Sequence, residues 1–240
     1  MRLAKLGGLT VRVVGGVDGD GAGDGPVVVL LHGFGAPGDD LVPLGRALSM
    51  SPDVAPLHAR LVLPEAPMDL GPRYLGGRAW WWIDLDARMR REAQGKRDIA
   101  EVPEGLDAAR ALVDAALDEA QSAFGAPPAR LVLGGFSQGA MLALDVALRS
   151  SRPLGGLVLL SGTHIAAREW EPRIAARDGL PIFMSHGQDD PILPFSVAEG
   201  LRDTLRAGGM AVDWAPFRGG HGIPPSVLER ACAFLGRVLA

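Results

Sequence analysis

The stretch Leu131-Val132-Leu133-Gly134-Gly135-Phe136-Ser137-Gln138-Gly139-Ala140-Met141 decides how the chain is read. A strand-sized apolar run leads into a G-x-S-x-G pentapeptide, and a helix-forming segment, Gln138–Arg149, follows at once. A strand-to-helix turn this sharp leaves no room for side chains on its flanks, which accounts for Gly135 and Gly139; Gly134 adds further freedom. Ser137 is then expected to project its hydroxyl at the sheet's edge, near the positive end of the following helix. The competing reading makes Ser137 an ordinary N-cap in a glycine-rich helix start.

Outward from this junction the alternation repeats. Short apolar runs at Val27–Leu31, 61–63, 157–160, 182–184 and 212–215 predict strands buried on both faces. Between them, Leu106, Ala109, Val113, Leu117, Ala120 and Phe124 recur at three- and four-residue intervals and share one face of a helix over 104–124, stopped by Gly125 and Pro127-Pro128. Phe195–Ala207 and Pro225–Leu239 repeat the pattern. The fold class is therefore α/β: a mostly parallel central sheet with helices on both faces, and ligands expected beyond the carboxyl ends of the strands. Near the amino end, 9–14 alternates loosely and runs into a Gly/Asp tract, 15–25, read as the turn of an antiparallel edge hairpin. Its Asp18, Asp20 and Asp24 lack the twelfth-position carboxylate of an EF-hand loop, so no metal site is assigned there.

Composition narrows the partners. With 240 residues, 48% hydrophobic and 22% charged, the chain fits one globular domain spanning 1–240. Lys and Arg number 24 against 28 Asp and Glu, and a net charge of −4 gathers neither nucleic acid nor anionic lipid. The one cysteine, Cys232, forms no internal disulfide and reads as a small buried hydrophobe. No apolar run is long enough for a signal-peptide core or a membrane span, so a cytoplasmic location is expected; a homodimer stays open. Residues 64–103 escape the strand–helix rhythm, carrying Pro64, Pro67, Pro72, three tryptophans at 80–82 and a charged tract over 88–98. They are expected to form an ordered loop insertion over the active site.

A serine hydroxyl needs a base to take its proton, and the base needs a group that fixes its tautomer. His58 lies in an irregular Pro-rich stretch, and His164 could line a pocket but precedes the candidate acids. His32 and His186 each stand before a glycine at a strand's end and read as structural. His221, in the glycine loop Arg218-Gly219-Gly220-His221-Gly222 between the last strand and the last helix, is the best base. The turn after 182–184 offers Asp189 or Asp190 as the acid, with the other expected to cap the following turn. The order serine, aspartate, histidine is that of α/β-hydrolases.

These blocks together resemble the phospholipase/carboxylesterase family of α/β-hydrolases, which includes acyl-protein thioesterases and bacterial carboxylesterases. The resemblance runs from Val27 through most of the chain. It rests on Leu31-His32-Gly33-Phe34-Gly35, Pro64-Glu65-Ala66-Pro67, the Ser137 pentapeptide, Leu160-Ser161-Gly162, His186-Gly187-x-x-Asp190-x-x-Leu193-Pro194 and Gly220-His221. It selects Asp190 as the acid and implies an oxyanion hole made by the backbone amides of Phe34 and Gln138. A Trp82-Ile83-Asp84 sequence stands where the family has Trp-Tyr-Asp or Trp-Phe-Asp, with two extra tryptophans before it, and the 88–98 tract is also unlike the usual members.

The resemblance implies hydrolysis of carboxylic esters or thioesters through an acyl-enzyme on Ser137, without a metal or organic cofactor. Its substrate is a small-molecule ester or thioester. Trp82, Leu75 and Leu193 are the expected substrate-binding side chains, with two of the three tryptophans equally able to serve as anchors of the loop. Amidase, peptidase or lactone hydrolase activity on the same scaffold is the alternative, and a non-catalytic ligand binder is the other.

Overall fold

The computed structural model describes residues 1–93 and 98–240. Lys96 and Arg97 of the basic tract lie outside the described residues. In chain order the elements are β1 (Arg2–Leu6), β2 (Leu9–Gly15), β3 (Val27–Leu31), α1 (Val42–Met50), β4 (Arg60–Pro64), β5 (Met68–Asp69), β6 (Arg78–Ala79) and α2 (Leu85–Ala93). There follow α3 (Leu106–Phe124), β7 (Leu131–Phe136), α4 (Gln138–Arg149), β8 (Gly156–Leu160), α5 (Ala167–Ile174), β9 (Pro181–Gly187), α6 (Phe195–Ala207), β10 (Ala211–Phe217) and α7 (Pro225–Leu239).

Eight strands form one sheet in the order β1-β2-β4-β3-β7-β8-β9-β10. From β4 to β10 every neighbouring pair is parallel, while β1 and β2 are antiparallel additions at one edge. Successive residues of β3 serve opposite cores, as strand geometry dictates. Val27, Val29 and Leu31 pack with α3, α4, α5 and α6 through residues such as Leu117, Leu142, Trp170 and Leu201. Val28 and Leu30 pack on the other face with α1 and α7 through Leu48, Phe234 and Leu235. The sheet is thus the α/β-hydrolase fold. Cys232 lies buried in the second core. Among the described residues no helix is long and apolar enough to cross a membrane.

Two expectations need correction. The edge hairpin exists, but it turns at Gly7-Gly8, where φ of +56° and +80° fits a two-residue turn requiring left-handed backbone at both positions. Residues 15–25 instead connect β2 to β3, which are not neighbours because β4 pairs between them. Nor is 64–103 simply a loop. It contains the β5–β6 hairpin and α2, and it folds Trp80 and Trp81 into the core.

Candidate active site

Ser137 sits between β7 and α4 with φ +54° and ψ −114°, a conformation that L residues rarely adopt and that costs about 1–3 kcal/mol. Close packing enforces it. A Cβ at Gly139 would lie 2.0 Å from the Leu31 carbonyl oxygen, and one at Gly135 would lie 2.5 Å from the Gly139 carbonyl carbon. The Ser137 amide donates to Leu160 O at 2.8 Å, and its carbonyl accepts from the Ala140 and Met141 amides. Ser137 occupies the N-cap position of α4, but its hydroxyl makes no capping bond to the helix.

The candidate acid and base come from the loops after β9 and β10. His221 Nδ1 donates to Asp190 Oδ2 at 2.7 Å, because an ionised carboxylate only accepts; Nε2 then carries the lone pair. Asp190 Oδ1 accepts from the amides of Ile192 and Leu193 at 2.8 and 2.9 Å. Burial pushes the Asp190 pKa up, but the bond from His221 and the Leu193 and Ile192 amides outweigh it and hold the carboxyl below 3.8. The group is therefore a carboxylate at neutral pH. Asp189, expected to cap the turn, does something else: its amide donates to Gly219 O at 2.9 Å and its Oδ2 accepts from the Gly219 amide at 3.2 Å. It laces the histidine loop to the acid loop, and Asp190 caps the turn itself.

Two more contacts press this loop into place. Ser161, with φ +49°, donates its hydroxyl to Gly222 O at 3.3 Å, and a Cβ at Gly187 would lie 2.2 Å from Gly220 O. The Phe136 ring packs on the His221 imidazole with centroids 4.8 Å apart. The base thus lies beside the residue that precedes the serine. Among the described residues no hydrogen bond joins Ser137 Oγ to His221, a bond that in substrate-free hydrolases often tightens only in the Michaelis complex.

On the other side of Ser137 runs the loop after β3. A Cβ at Gly33 would sit 3.3 Å from Ser137 Cβ, so this loop lies directly against the serine. His32 fixes it: Nε2 accepts from the Ala66 amide at 3.0 Å, which makes Nδ1 the protonated nitrogen that donates to Gly33 O at 2.9 Å. Burial lowers the His32 pKa, keeping the ring neutral as that pattern requires. The backbone amides of Phe34 and Gln138 donate no hydrogen bond among the described residues. Both remain available to an incoming oxygen.

The Gln138 side chain, fully buried, ties the insertion to the serine turn. Its Oε1 accepts from the Trp80 amide at 3.0 Å and its Nε2 donates to Trp81 O at 2.8 Å. The Trp80 indole donates to His32 O at 2.9 Å, completing a link from the insertion to the β3 loop. Two tryptophans therefore anchor, and Trp82 stands 54% exposed. Of the other expected substrate contacts, Leu75 is 94% exposed, and Leu193 is buried in the core with its backbone turned to the site. Sequence reading gave Tyr74 no individual role, yet it meets Phe34 and Trp82 edge to face. His58 is exposed, whereas His164 is buried and stacked on Trp170.

A strained serine after β7, an imidazole–carboxylate pair from later loops and two amides that donate no hydrogen bond among the described residues make up the candidate site on this α/β-hydrolase fold. Residues 20–239 match the phospholipase/carboxylesterase family, and the chain belongs to it. It is similar to acyl-protein thioesterase 1 of Eremothecium gossypii, with 32% identity over 86% of this chain and 85% of that protein. Acyl-protein thioesterase 1 of Kluyveromyces lactis is 32% identical over 70% of this chain and 71% of its own length. Among solved structures, esterase PE8 superposes with a TM-score of 0.78 and 31% identity over 96% of this chain and 99% of that one. The Bacillus cereus carboxylesterase, at 20% identity and a TM-score of 0.68 over 96% and 94%, shares the fold. The chain is a carboxylic ester hydrolase.

Proposed function

We propose that the chain cleaves esters and thioesters by two-step acyl transfer through Ser137, His221 and Asp190. Ser137 Oγ attacks the carbonyl carbon while His221 Nε2 takes the hydroxyl proton, and the carbonyl oxygen, now anionic, lies between the Phe34 and Gln138 amides. When the tetrahedral intermediate collapses, the bond to the leaving alcohol or thiol breaks and Nε2 returns the proton to it. Water then attacks the acyl-enzyme by the same route, giving the acid and free serine. Asp190 holds the Nδ1 tautomer and offsets the imidazolium charge.

The observation that carries this reading is the 2.7 Å bond between His221 and a carboxylate held ionised, with the imidazole packed on Phe136, the residue before a serine whose hydroxyl makes no capping bond. The names of the relatives favour thioesters as a second substrate class. The mechanism needs no metal or organic cofactor. Replacing Ser137 by alanine should lower kcat for a p-nitrophenyl ester by about 10⁴-fold or more, with the fold intact by circular dichroism. Turnover near the native rate would overturn the assignment.

A further inference from the structure

Three rings from separate segments meet beside the proposed oxyanion hole. Phe34 comes from the loop after β3, Tyr74 from the turn of the β5–β6 hairpin, and Trp82 from the chain after β6. Phe34 and Tyr74 lie 5.7 Å apart at 88°, Phe34 and Trp82 5.9 Å apart at 68°, and Tyr74 and Trp82 6.3 Å apart at 85°. Each ring thus turns an edge to a neighbour's face. The corner is fastened to the reacting centre from both sides. Phe34 follows Gly33, which abuts Ser137, and Trp82 follows Trp81, whose carbonyl is held by the Gln138 side chain. An antiparallel bridge between Ala36 and Arg78 closes the hairpin onto the β3 loop.

Packing of the fold does not explain why Trp82 belongs here. Its neighbours Trp80 and Trp81 are buried and bonded, whereas Trp82 leaves 54% of its surface to water. A half-exposed indole within an edge-to-face cluster offers a face or edge to one more ring. An aliphatic group of the same size gains there only the burial of its area, while an aromatic group gains the ring–ring term as well.

We propose that Phe34, Tyr74 and Trp82 form an acyl subsite that selects esters of aromatic carboxylic acids. The inference rests on the serine mechanism above and names the class of acid it releases. No new chemical step is needed: the aryl acyl group is the one transferred to Ser137 and then to water.

The test compares p-nitrophenyl benzoate with p-nitrophenyl cyclohexanecarboxylate, which share a carbon skeleton and differ in aromaticity. The two esters differ in intrinsic reactivity, but that difference cancels when the benzoate-to-cyclohexanecarboxylate ratio of kcat/KM is itself compared between native protein and Trp82→Leu. A ring–ring contact in the transition state predicts that this ratio falls about two- to tenfold in Trp82→Leu. Tyr74→Leu should lower it in the same direction, and provides a second variant if the first does not fold. Titration with a fluorophosphonate counts active serines, so a change in the fraction of folded enzyme does not enter. A ratio that stays within about 1.5-fold of native in both variants would overturn the proposal.

If Ser137 takes no fluorophosphonate label, the serine mechanism has failed, and the corner is judged by binding. Acetophenone should then bind more tightly than cyclohexyl methyl ketone to native protein, and less so to Trp82→Leu. Equal affinities would overturn the aromatic subsite.

Discussion

Two regions converge on Ser137 and are built in different ways. The acid loop surrounds the Asp190 carboxylate with the amides of Ile192 and Leu193, the ring of His221 and, at 3.3 Å from Oδ2, Nε2 of the fully buried His186. The His186 Nε2–H also donates to Leu193 O at 2.8 Å, closing the loop onto the end of β9. The Phe34–Tyr74–Trp82 corner instead rests on an insertion, is held by ring contacts, and stands partly in water. Proton transfer requires fixed distances, so its residues are over-determined by hydrogen bonds. Choosing an acyl group requires a surface, which an exposed insertion can supply without disturbing the sheet.

Asp190→Asn strikes the over-determined side hardest. An amide can donate to His221 and favour the wrong tautomer, so kcat should fall by about 10³–10⁴-fold with KM little changed. A loss of less than tenfold would mean that Asp190 does not orient the base. The same variant reports on stability. Because the folded carboxyl titrates below 3.8, its contribution is present above that value and is lost as pH drops through the lower folded pKa. Unfolding free energy measured by urea titration should therefore depend less on pH below 3.8 in Asp190→Asn than in the native protein. An unchanged acid slope would contradict the ionised, bonded state of this group.

His186 tests whether the loop's closure matters to chemistry. In the proposed mechanism it is a positioning residue, acting on His221 through Asp190. His186→Phe should lower kcat per fluorophosphonate-titrated site by about 10²-fold, the scale of a displacement near 1 Å, while KM stays near native. His186→Asn, whose amide can still donate to Leu193 O, should recover part of the loss. Equal activity in the two variants would reduce His186 to packing.

Gln138 lies at the boundary of the two regions. Gln138→Leu keeps the backbone amide but leaves the buried Trp80 N–H and Trp81 C=O unpaired, at a cost of about 1–3 kcal/mol for each group. Stability by denaturant titration should drop accordingly. Activity per active site should fall less than in the acid-loop variants, with the benzoate preference weakened because Trp82 loses its anchor.

The contrast also explains what could be read from the sequence. The chain from β7 to α4, and the helices at Phe195–Ala207 and Pro225–Leu239, follow from local apolar runs and periodicity and lie where those signals place them. The candidate serine and base stand out because each sits in a short block at a strand's end, and the candidate acid narrows there to Asp189 or Asp190, between which the family resemblance chooses. Strand order was less so. The pairing of β4 between β2 and β3 is a long-range contact that no local pattern in 15–25 could announce. β1 went unassigned because its five residues, mostly exposed, carry little apolar signal. The helices α2 and α5 carry no clear apolar period in the sequence, because charged residues fill much of both and α5 holds Pro172 in its interior. Asp189 and Asp190 are equivalent by composition; the family motif points to Asp190, and the fold gives them different partners, the Gly219 backbone for Asp189 and His221 for Asp190. Tyr74 was missed for a similar reason: its partners Phe34 and Trp82 lie in other segments, and nothing beside it in the chain marks a site.

The most direct examination of the account is rapid-quench mass spectrometry of the protein mixed with excess p-nitrophenyl ester. The proposed mechanism predicts a mass increase of one acyl group, mapped to the peptide containing Ser137, and, with an ester whose deacylation is the slower step, a burst of nitrophenol equal to the active sites. Turnover with the acyl group on a residue other than Ser137, or no acylated protein with an ester whose nitrophenol release shows a burst, would contradict it.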